Sequence, residues 1–369
     1  MDNRKDGVSI MIYNDNFERT KKYAEAFWSK ELIDRPYVCV TSPKKGCRLP
    51  TEGVFASPAT AFEACVSGNY RPILDTAEEI ARNTFYGGEA LPDFQVQLGP
   101  DQYAGFLGAK IAPVPGSDTT WANPIVEDWD EFPVALDKSE DGYFRKAERF
   151  IQYVAKNYAD KFLIDMFDLH GNMDALSALR GPQDLCYDLI DCPESVLATR
   201  QKVDDTYAEV YNMIFNAGKM AQRGTIGWSP VYCAGRSAVI QCDYICMISP
   251  AQGKQFVLPA IEREAAFLDR CIYHYDGKEA LVHLDNILAI RDIDCIQWVP
   301  GAGNPRSIEW MDLLKKTQKA GKSLWIFDWT AEEIKRHFRE LEPNKVAFSL
   351  SVDSQDEAEE LLDYLVKNT

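Results

Sequence analysis

The sequence predicts an α/β protein, specifically a parallel (β/α)8 TIM barrel preceded by an N-terminal helical extension. Short apolar runs alternate with helical patterns along most of the chain, and the number of these runs is close to eight. The chain has 369 residues, of which 46% are hydrophobic and 26% charged. It is therefore long enough for one large barrel and apolar enough for a sizeable core.

Six strand-then-helix units follow one another from about residue 160 onward. Repeated units of this kind imply right-handed crossovers and a parallel sheet. Two earlier runs, YVCV near residue 38 and FQVQL near residue 96, complete a set of eight strands. The six later strands are predicted within Phe162–Phe167, Val239–Ile248, Cys271–Tyr275, Cys295–Val299, Leu324–Phe327 and Val346–Val352.

The first part of the chain differs from the rest. Helical patterns at FERTKKYAEAFWSKE and TAEEIARNTF stand among loops rich in proline and glycine. We therefore assign residues 1–90 to a helical extension that includes the first barrel strand, and residues 91–369 to the remainder of a single barrel. The segment GTIGWSPVYCAGR fits either an extra strand or a loop at the barrel mouth.

Charge and composition narrow the function classes. An excess of 57 acidic over 40 basic residues gives a net charge of −17, which disfavours nucleic acid and anionic membranes as partners. No apolar run approaches the ~18 residues of a membrane span, and no signal-peptide pattern is present, so a cytoplasmic protein is expected. The ten cysteines form no C-x-x-C pair, which predicts reduced and mostly buried thiols.

Ionisable side chains follow several of the predicted strands. In a parallel barrel such side chains converge at the C-terminal mouth, where barrel enzymes carry their active sites. His274 and Asp276 in YHYDG form the strongest pair, because residues two apart on a strand point to the same face and Gly277 permits an immediate turn. We expect these two residues and Asp243 to be catalytic, through metal binding or acid–base chemistry. A purely structural His–Asp pair is the alternative.

A second group of residues is expected to shape a substrate pocket at the same mouth. Its polar members follow strands, and its tryptophans suit a planar or apolar organic ligand, although core packing also explains tryptophans in such positions. The predicted substrate-binding residues are Asp168, His170, Trp228, Trp298 and Asp328.

Some of these residue types have ordinary structural uses. Asp328 and Asp353 fit helix-capping or loop roles as well as functional ones, and Thr330 is itself suited to cap the following helix. The other two histidines, His283 and His337, fall in helical patterns and are predicted to lie on the surface.

Several local patterns recur in a recognisable order. A strand is followed by HGNMDALSALRGPQDLCYDLIDCPE, then by ISPAQGKQFVLP, YHYDGK and IQWVPGAG. In this order the chain resembles a divergent member of the uroporphyrinogen decarboxylase (URO-D) superfamily, which also contains the cobamide-dependent methyltransferases. The resemblance covers most of the chain after about residue 90 and implies a (β/α)8 barrel with its site at the strand C-termini.

The resemblance also carries implications for the site. True decarboxylases have an R-Q-A-G-R segment on the first strand to hold carboxylates, whereas this chain reads RPYVCVTSPKKG there. The methyltransferases carry His-x-Cys as two zinc ligands and a further cysteine after the last strand. His274 matches that histidine, Asp276 stands at the first cysteine position and Asp353 near the second. The implied metal site, His274, Asp276 and Asp353, would suit zinc or another divalent ion that polarises an oxygen substrate.

The expected function on this basis is methyl transfer from a small organic substrate to a corrinoid. The implied cofactors are a divalent metal and a corrinoid carried by a partner protein, and a homo-dimer is the assembly considered. A carboxy-lyase acting on a non-porphyrin or porphyrinogen carboxylate is the alternative enzyme. A glycosidase with paired carboxylates, and a barrel that only binds a ligand or partner, are the further alternatives.

Overall fold

The fold is an α/β arrangement in which a seven-stranded, mostly parallel sheet is flanked by helices. The computed structural model describes residues 11–49 and 57–369. Its strands are β1 (Tyr37–Pro43), β2 (Thr84–Gly88), β3 (Asp93–Phe94), β4 (Ile111–Pro113), β5 (Thr120–Ala122), β6 (Leu163–Ile164), β7 (Ser237–Ile240), β8 (Arg270–Asp276), β9 (Cys295–Val299), β10 (Ser323–Ile326) and β11 (Val346–Ser351).

Helices connect most of these strands. The α-helices in the described residues are α1 (Phe17–Trp28), α2 (Pro58–Ser67), α3 (Arg71–Asn83), α4 (Gln102–Phe106), α5 (Tyr143–Asn157), α6 (Asn172–Arg180), α7 (Pro182–Asp191), α8 (Pro193–Ala217), α9 (Met220–Arg223), α10 (Pro250–Gln252), α11 (Leu258–Phe267), α12 (Leu284–Ala289), α13 (Met311–Lys319), α14 (Ala331–His337) and α15 (Gln355–Asn368). A π-helical turn, Gly253–Val257, joins α10 to α11, and 3-10 turns cover Asp243–Met247, Lys278–His283, Ser307–Trp310, Phe338–Glu340 and Pro343–Lys345.

The strand order in the large sheet is β2-β1-β11-β10-β9-β8-β7. The β1–β2 pair is antiparallel, and every other pair in this sheet is parallel. From β7 to β11 the spatial order follows the chain, as helical crossovers of one hand require. Separately, β3 pairs with β6 in parallel and β4 pairs with β5 in antiparallel fashion.

The predicted α/β class with a parallel sheet is confirmed, but a closed barrel is not observed. Within residues 11–49 and 57–369, no ladder joins β6 to β7 or β1 to β3. The chain just after β6 instead makes a parallel bridge between Asp165 and Ile226, and Thr225 makes an antiparallel bridge to Cys233. Because β3 and β6 have two residues each, they offer few ladder hydrogen bonds to a further neighbour.

Three predicted strands are shorter than expected. The predicted FQVQL and Phe162–Phe167 strands are reduced to the two-residue strands β3 and β6. The apolar run Val239–Ile248 leaves the sheet after Ile240 and continues as the 3-10 turn Asp243–Met247. The carboxylate of Asp174 accepts the backbone N–H groups of Asp243 at 3.0 Å and Tyr244 at 2.9 Å. These bonds replace the ladder hydrogen bonds that a continued strand would have made, so the chain turns at this point.

Side chains of the large sheet alternate between two buried clusters, as a pleated strand requires. One face packs against the surrounding helices. The other, which we call the inner face, encloses a separate cluster together with side chains of α1, Leu163 of β6 and Ile226. The inner-face members from the large sheet are Tyr37, Cys39, Val239, Ile272, Cys295, Trp325 and Ala347.

A buried ion pair ties the start of β1 to the end of β2. The guanidinium of Arg35 contacts both carboxylate oxygens of Glu89 at 2.7 Å, and both side chains are fully buried. Glu89 also accepts the backbone N–H of Val38 at 3.0 Å. The attraction between the two charges and these hydrogen bonds offset the desolvation cost of burying them.

Two smaller expectations have opposite outcomes. All ten cysteines are free and six are buried, as predicted. The prediction of a surface position for His283 is wrong, because its ring is fully buried and its Nε2 lies 3.1 Å from the Ile248 carbonyl oxygen. His337 is half-exposed, with Nδ1 2.7 Å from a Glu340 carboxylate oxygen.

In the described part of the chain, no helix combines the length and apolarity needed to cross a bilayer.

Candidate metal and substrate site

The predicted pair His274 and Asp276 lies on the inner face of β8. Ile272 belongs to the inner cluster, so the residues two and four positions later point the same way. Gly277 then takes a φ of +81°, a backbone conformation that side chains other than glycine rarely adopt, and the strand ends there. Both the shared face and the immediate turn agree with the prediction from the sequence.

Asp243 joins this pair from the 3-10 turn that follows the neighbouring strand, β7. One potential ligand atom from each of Asp243, His274 and Asp276 lies within 4.8 Å of the others, and no other group of three or more His, Cys, Asp or Glu side chains in the described residues meets this criterion. Asp243 is exposed, whereas His274 and Asp276 are half-buried. The three residues predicted to be catalytic are therefore brought together.

The orientation of the His274 imidazole is set by β9. Gln297 is the parallel register partner of His274, and its Oε1 lies 2.5 Å from His274 Nδ1. Because an amide oxygen can only accept a hydrogen bond, Nδ1 carries the proton in the neutral ring. The lone pair is then on Nε2, which is the nitrogen available to a metal or a substrate.

The donor set fits a divalent cation. Asp276 Oδ1 is buried and has no hydrogen-bond partner, so a cation would satisfy an atom that is otherwise costly to bury. One imidazole and two carboxylates suit zinc and other divalent ions of intermediate hardness, and a histidine oriented by a polar second residue is the usual arrangement in metal sites. The set contains no thiolate, the ligand that favours activation of thiol substrates.

Asp174 holds the turn that carries Asp243. It lies in the first turn of α6, and its two carboxylate oxygens accept the N–H groups of Asp243 and Tyr244. Its side chain is almost fully buried. The position of Asp243 relative to β8 therefore depends on a carboxylate from a different segment of the chain.

His170 extends the polar cluster. Its Nε2 is 3.2 Å from Asp168 Oδ2 and its Nδ1 is 3.6 Å from Asp174 Oδ2. Burial alone would lower the pKa of His170, but Asp168 and then Asp174 outweigh it, and the pKa lies well above its ordinary value. Burial would raise the pKa of Asp168, but the charge and hydrogen bond of His170 leave it lowered. The two carboxylates therefore favour the protonated form of this ring.

The carboxyl group of Asp243 has an altered acidity. Burial, followed by the charge of Asp174, raises its pKa to about 6, while His170 and His274 act in the opposite direction. The side chain of Asp243 is exposed to solvent although protein atoms lie close around it. Solvent therefore partly screens the electrostatic influence of its neighbours on this pKa. A carboxyl group with this pKa is mostly ionised at neutral pH and can still serve as a ligand.

Two adjoining cavities lie near His274 and are linked to it through Trp228 and Gln297, whereas Asp243, His274 and Asp276 themselves line neither cavity. One has a volume of about 470 Å³ and is lined by Gln297, Trp228 and Trp325 among others, and the second has a volume of about 370 Å³. Both fall within the range of about 300–1,000 Å³ typical of small-molecule sites. The Trp228 ring lies 5.2 Å from the His274 ring and 5.1 Å from the Trp325 ring. Residues common to both cavities are Thr41, Tyr86, Asp93, Trp228 and Ser351.

Trp298 does not line these cavities. It is buried on the helix-facing side of β9, 5.6 Å from the Tyr275 ring and 5.3 Å from the Trp310 ring. Because successive residues of a strand point to opposite faces, placing Gln297 on the inner face directs Trp298 away from it. The substrate-binding position expected for Trp298 is therefore corrected to a core position.

Asp353 and Asp328 also lie outside the three-residue cluster. Asp353 lines a separate surface depression with Lys44, Lys45 and Arg48, so Asp243 rather than Asp353 accompanies His274 and Asp276. Asp328 accepts the backbone N–H of Ser307 at 2.8 Å and also its hydroxyl, so it holds a distant loop and does not cap the helix that follows it, which Thr330 caps.

The cap expected at Thr330 is present. Its side chain accepts the backbone N–H of Glu333, whose own carboxylate accepts the backbone N–H of Thr330 at 2.8 Å. This reciprocal capping box begins α14.

Two contributors were missed by the sequence reasoning. Gln297 carried a usable signal, because it is two residues after Cys295 on a predicted strand and opposite the YHYDG segment. Asp174 carried none, because an aspartate near the start of a helix ordinarily has a local role.

Comparisons with known proteins do not assign the chain to a group. No protein-family profile matches it, and no curated protein sequence matches it.

Proposed function

We propose that this protein is an enzyme that binds a divalent cation through Asp243, His274 and Asp276 and acts on a small organic molecule in the adjoining cavities. The observation that carries the proposal is the convergence of these three side chains within 4.8 Å, with Trp228 in contact with the His274 ring and lining two cavities of small-molecule size. A partnerless buried oxygen on Asp276 and a histidine already oriented by Gln297 add support.

Each side chain has a definite part in this proposal. His274 would bind through Nε2 while Gln297 holds Nδ1, and the two aspartates would offer oxygens. Asp174 keeps Asp243 in reach through its backbone hydrogen bonds. When bound, the cation supplies Lewis acidity toward an oxygen of the substrate. Trp228, which contacts the His274 ring, would position the substrate and exclude water from it.

Within this class we propose methyl transfer to a corrinoid carried by a partner protein as the reaction. The resemblance of YHYDG to the methyltransferase ligand motif supports it, and the oxygen-rich donor set favours methoxy or amine donors over thiols. We also propose that the strands close into a (β/α)8 barrel, because inner-face residues of β1, β6 and β7 share one buried cluster. An experimental structure with β1 and β6 on opposite faces of an open sheet would contradict the closure.

Zinc titration of the chelator-treated full-length chain tests the cation site. Wild-type protein is expected to bind one equivalent, and His274→Ala is expected to lose at least ten-fold in affinity with little change in melting temperature. His337→Ala, which alters a half-exposed histidine, is the matched control. Unchanged zinc binding in His274→Ala would remove the central residue from the proposal.

A turnover assay then tests the reaction. Reduced cobalamin is incubated with the zinc-loaded protein and either methanol, methoxybenzene or trimethylamine, and formation of methylcobalamin is followed by its absorption spectrum. Methylcobalamin formed by wild type but not by His274→Ala supports methyl transfer, whereas zinc binding without transfer to free or protein-bound corrinoid counts against it.

A carboxy-lyase is the second candidate. The observation in its favour is Asp243, whose pKa of about 6 allows it to donate a proton near neutral pH without a metal. Against it, the described residues that line the two cavities include no lysine, arginine or histidine to hold a substrate carboxylate. Purified protein without a stoichiometric divalent ion would favour this second candidate.

A further inference from the structure

The cavity of about 370 Å³ contains an acidic pair that the proposed metal site does not use. Asp93 lies on β3, and Asp165 follows β6, the parallel partner of β3. The backbone N–H of Asp165 donates to the Phe94 carbonyl at 3.1 Å. The two carboxyl groups hydrogen-bond to each other, and both line the cavity. Two acids from adjacent strands thus meet at one cavity wall.

The Asp165 carboxyl group is buried with one of its two oxygens lacking a hydrogen-bond partner. Only 2% of its surface is exposed, and its Oδ1 has no hydrogen-bond partner. A buried carboxylate oxygen is stable only when a donor or an opposite charge satisfies it. The second carboxyl group can share one proton with it but cannot satisfy both of its oxygens, so the wall has unused capacity for a cation or a donor.

The pair has a net negative charge. Burial, and then the charge of Asp93, raises the pKa of Asp165 well above its ordinary value, and burial raises the pKa of Asp93 to about 6. Two neighbouring carboxyl groups of this kind retain one proton between them near neutral pH and have one negative charge. Asp93 is surrounded by protein atoms but its side chain is exposed to the cavity.

The other walls select the type of ligand. Tyr86, Phe94 and Trp228 supply aromatic surface, and Ala77 and Ile80 of α3 supply aliphatic surface. Within the described lining no lysine, arginine or histidine is present to attract an anion or to neutralise the acids. Aromatic faces attract cations through their quadrupole, and they do so best for weakly hydrated organic cations.

We propose that this cavity is a binding site for a small organic cation, an alkylated ammonium group, with Asp93 and Asp165 as its counter-charge and Trp228 and Tyr86 as its aromatic walls. Trp228 also contacts the His274 ring, so the ligand would lie next to the proposed metal site. The binding itself does not depend on the proposed function. That the ligand is the methyl donor rests on that function.

Calorimetric titration of the full-length, chelator-treated protein with choline tests the inference. The neutral isostere 3,3-dimethylbutan-1-ol has the same shape without the charge, and we expect choline to bind at least ten-fold more tightly. Equal binding of the two would overturn the inference, because the cavity would then respond to shape and apolar surface alone. Displacement of choline by an equal concentration of KCl would also overturn it, because the site would then be a general cation site.

Two variants locate the site. The double variant Asp93→Asn/Asp165→Asn keeps the shape of both side chains but removes the negative charge of the pair, and it is expected to reduce the preference for choline over its isostere at least ten-fold. Asp363→Asn on the exposed face of α15 should leave the preference unchanged. Tyr86→Leu provides an independent test if the double variant does not fold, with a loss of at least five-fold, and wild-type preference for choline in every folded variant of the pair or of Tyr86 would overturn the assignment.

His274→Ala separates this inference from the proposed function. Choline binding is expected to persist in this variant while zinc binding is lost. Zinc binding by a wild-type protein that does not bind choline would refute the cation cavity and leave the metal site standing. Choline binding by a wild-type protein that does not bind zinc would refute the metal site and leave the cation cavity standing.

Discussion

Gln297 lies directly across from His274 on the neighbouring parallel strand, with its Oε1 2.5 Å from His274 Nδ1. This contact selects one tautomer of the imidazole and leaves Nε2 as the nitrogen that is free to bind a cation, because Nδ1 is already occupied. The metal-binding competence of the cluster is therefore expected to depend on a residue that is not itself a ligand.

Gln297→Leu is expected to weaken zinc binding by about 10–100-fold, the usual effect of removing a residue that orients a metal-bound histidine. Gln297→Glu keeps an acceptor opposite Nδ1 and should restore most of the affinity. Calorimetric zinc titration of both variants measures the difference. Equal affinities in Gln297→Leu and wild type would show that the orientation of His274 has another origin.

Asp174→Asn is expected to destabilise the fold by about 1–3 kcal/mol, because an amide offers one acceptor oxygen where the carboxylate satisfies two buried backbone N–H groups. Zinc affinity should fall with it, since the turn that carries Asp243 is no longer held. Urea unfolding and zinc titration provide the two measurements. Asp184→Asn, at the exposed first turn of α7, is the matched control, and an equally small effect of both variants would count against this role.

Stability is expected to depend on pH through His170. The pKa of His170 is raised in the folded protein, so its contribution is complete below the unfolded value of about 6.5 and is lost as the pH rises through the folded value. The pKa of Asp168 is lowered, so its contribution is present above about 3.9 and is lost as the pH falls. The stabilising effect of the pair is thus greatest between these two limits.

Urea unfolding of wild type and His170→Gln at pH 6 and pH 9 tests this dependence. Wild type should exceed the variant in unfolding free energy by more at pH 6 than at pH 9, because the contribution of a raised pKa is complete only below the unfolded value of about 6.5 and declines above it. Glu264, another buried group with a raised pKa, titrates in both proteins and largely cancels in the comparison. A constant difference between the two pH values would contradict the assignment of a charged His170.

Glu89→Gln is expected to destabilise the protein by about 3–5 kcal/mol, because it leaves the buried Arg35 guanidinium without its counter-charge. Asp356→Asn breaks an exposed ion pair with Lys45 and should change stability by no more than about 0.5 kcal/mol. Urea unfolding of both variants at neutral pH gives the comparison. Similar effects in the two variants would mean that the Arg35–Glu89 contact contributes no more than a surface pair.

Local rules were enough to predict several features from the sequence. Strand alternation places His274 and Asp276 on one face, Gly277 ends the strand, and Thr330 caps α14. Each of these depends on backbone geometry and on neighbours within a few residues, which the sequence contains directly. The alternation of strands and helices likewise predicted the parallel sheet and its order from β7 to β11.

Long-range packing decided the membership of the site. Asp243 joined the cluster because Asp174, distant in sequence, turns the chain after β7, and Asp353 did not, although the sequence placed it after a strand in the same way. The register between β9 and β8 decides which face of β9 points inward. Gln297 therefore contacts the site, and Trp298, which was expected to bind substrate, packs in the core.

The sequence by itself determined which residues share a face and where strands and helices begin, since these follow from periods of a few residues. Only the tertiary structure decided which strand ends meet, which acids become neighbours, as Asp93 and Asp165 do, and which cavities form between them. The physical reason is that convergence depends on sheet order, strand length and curvature, which result from many weak contacts between residues far apart in the chain.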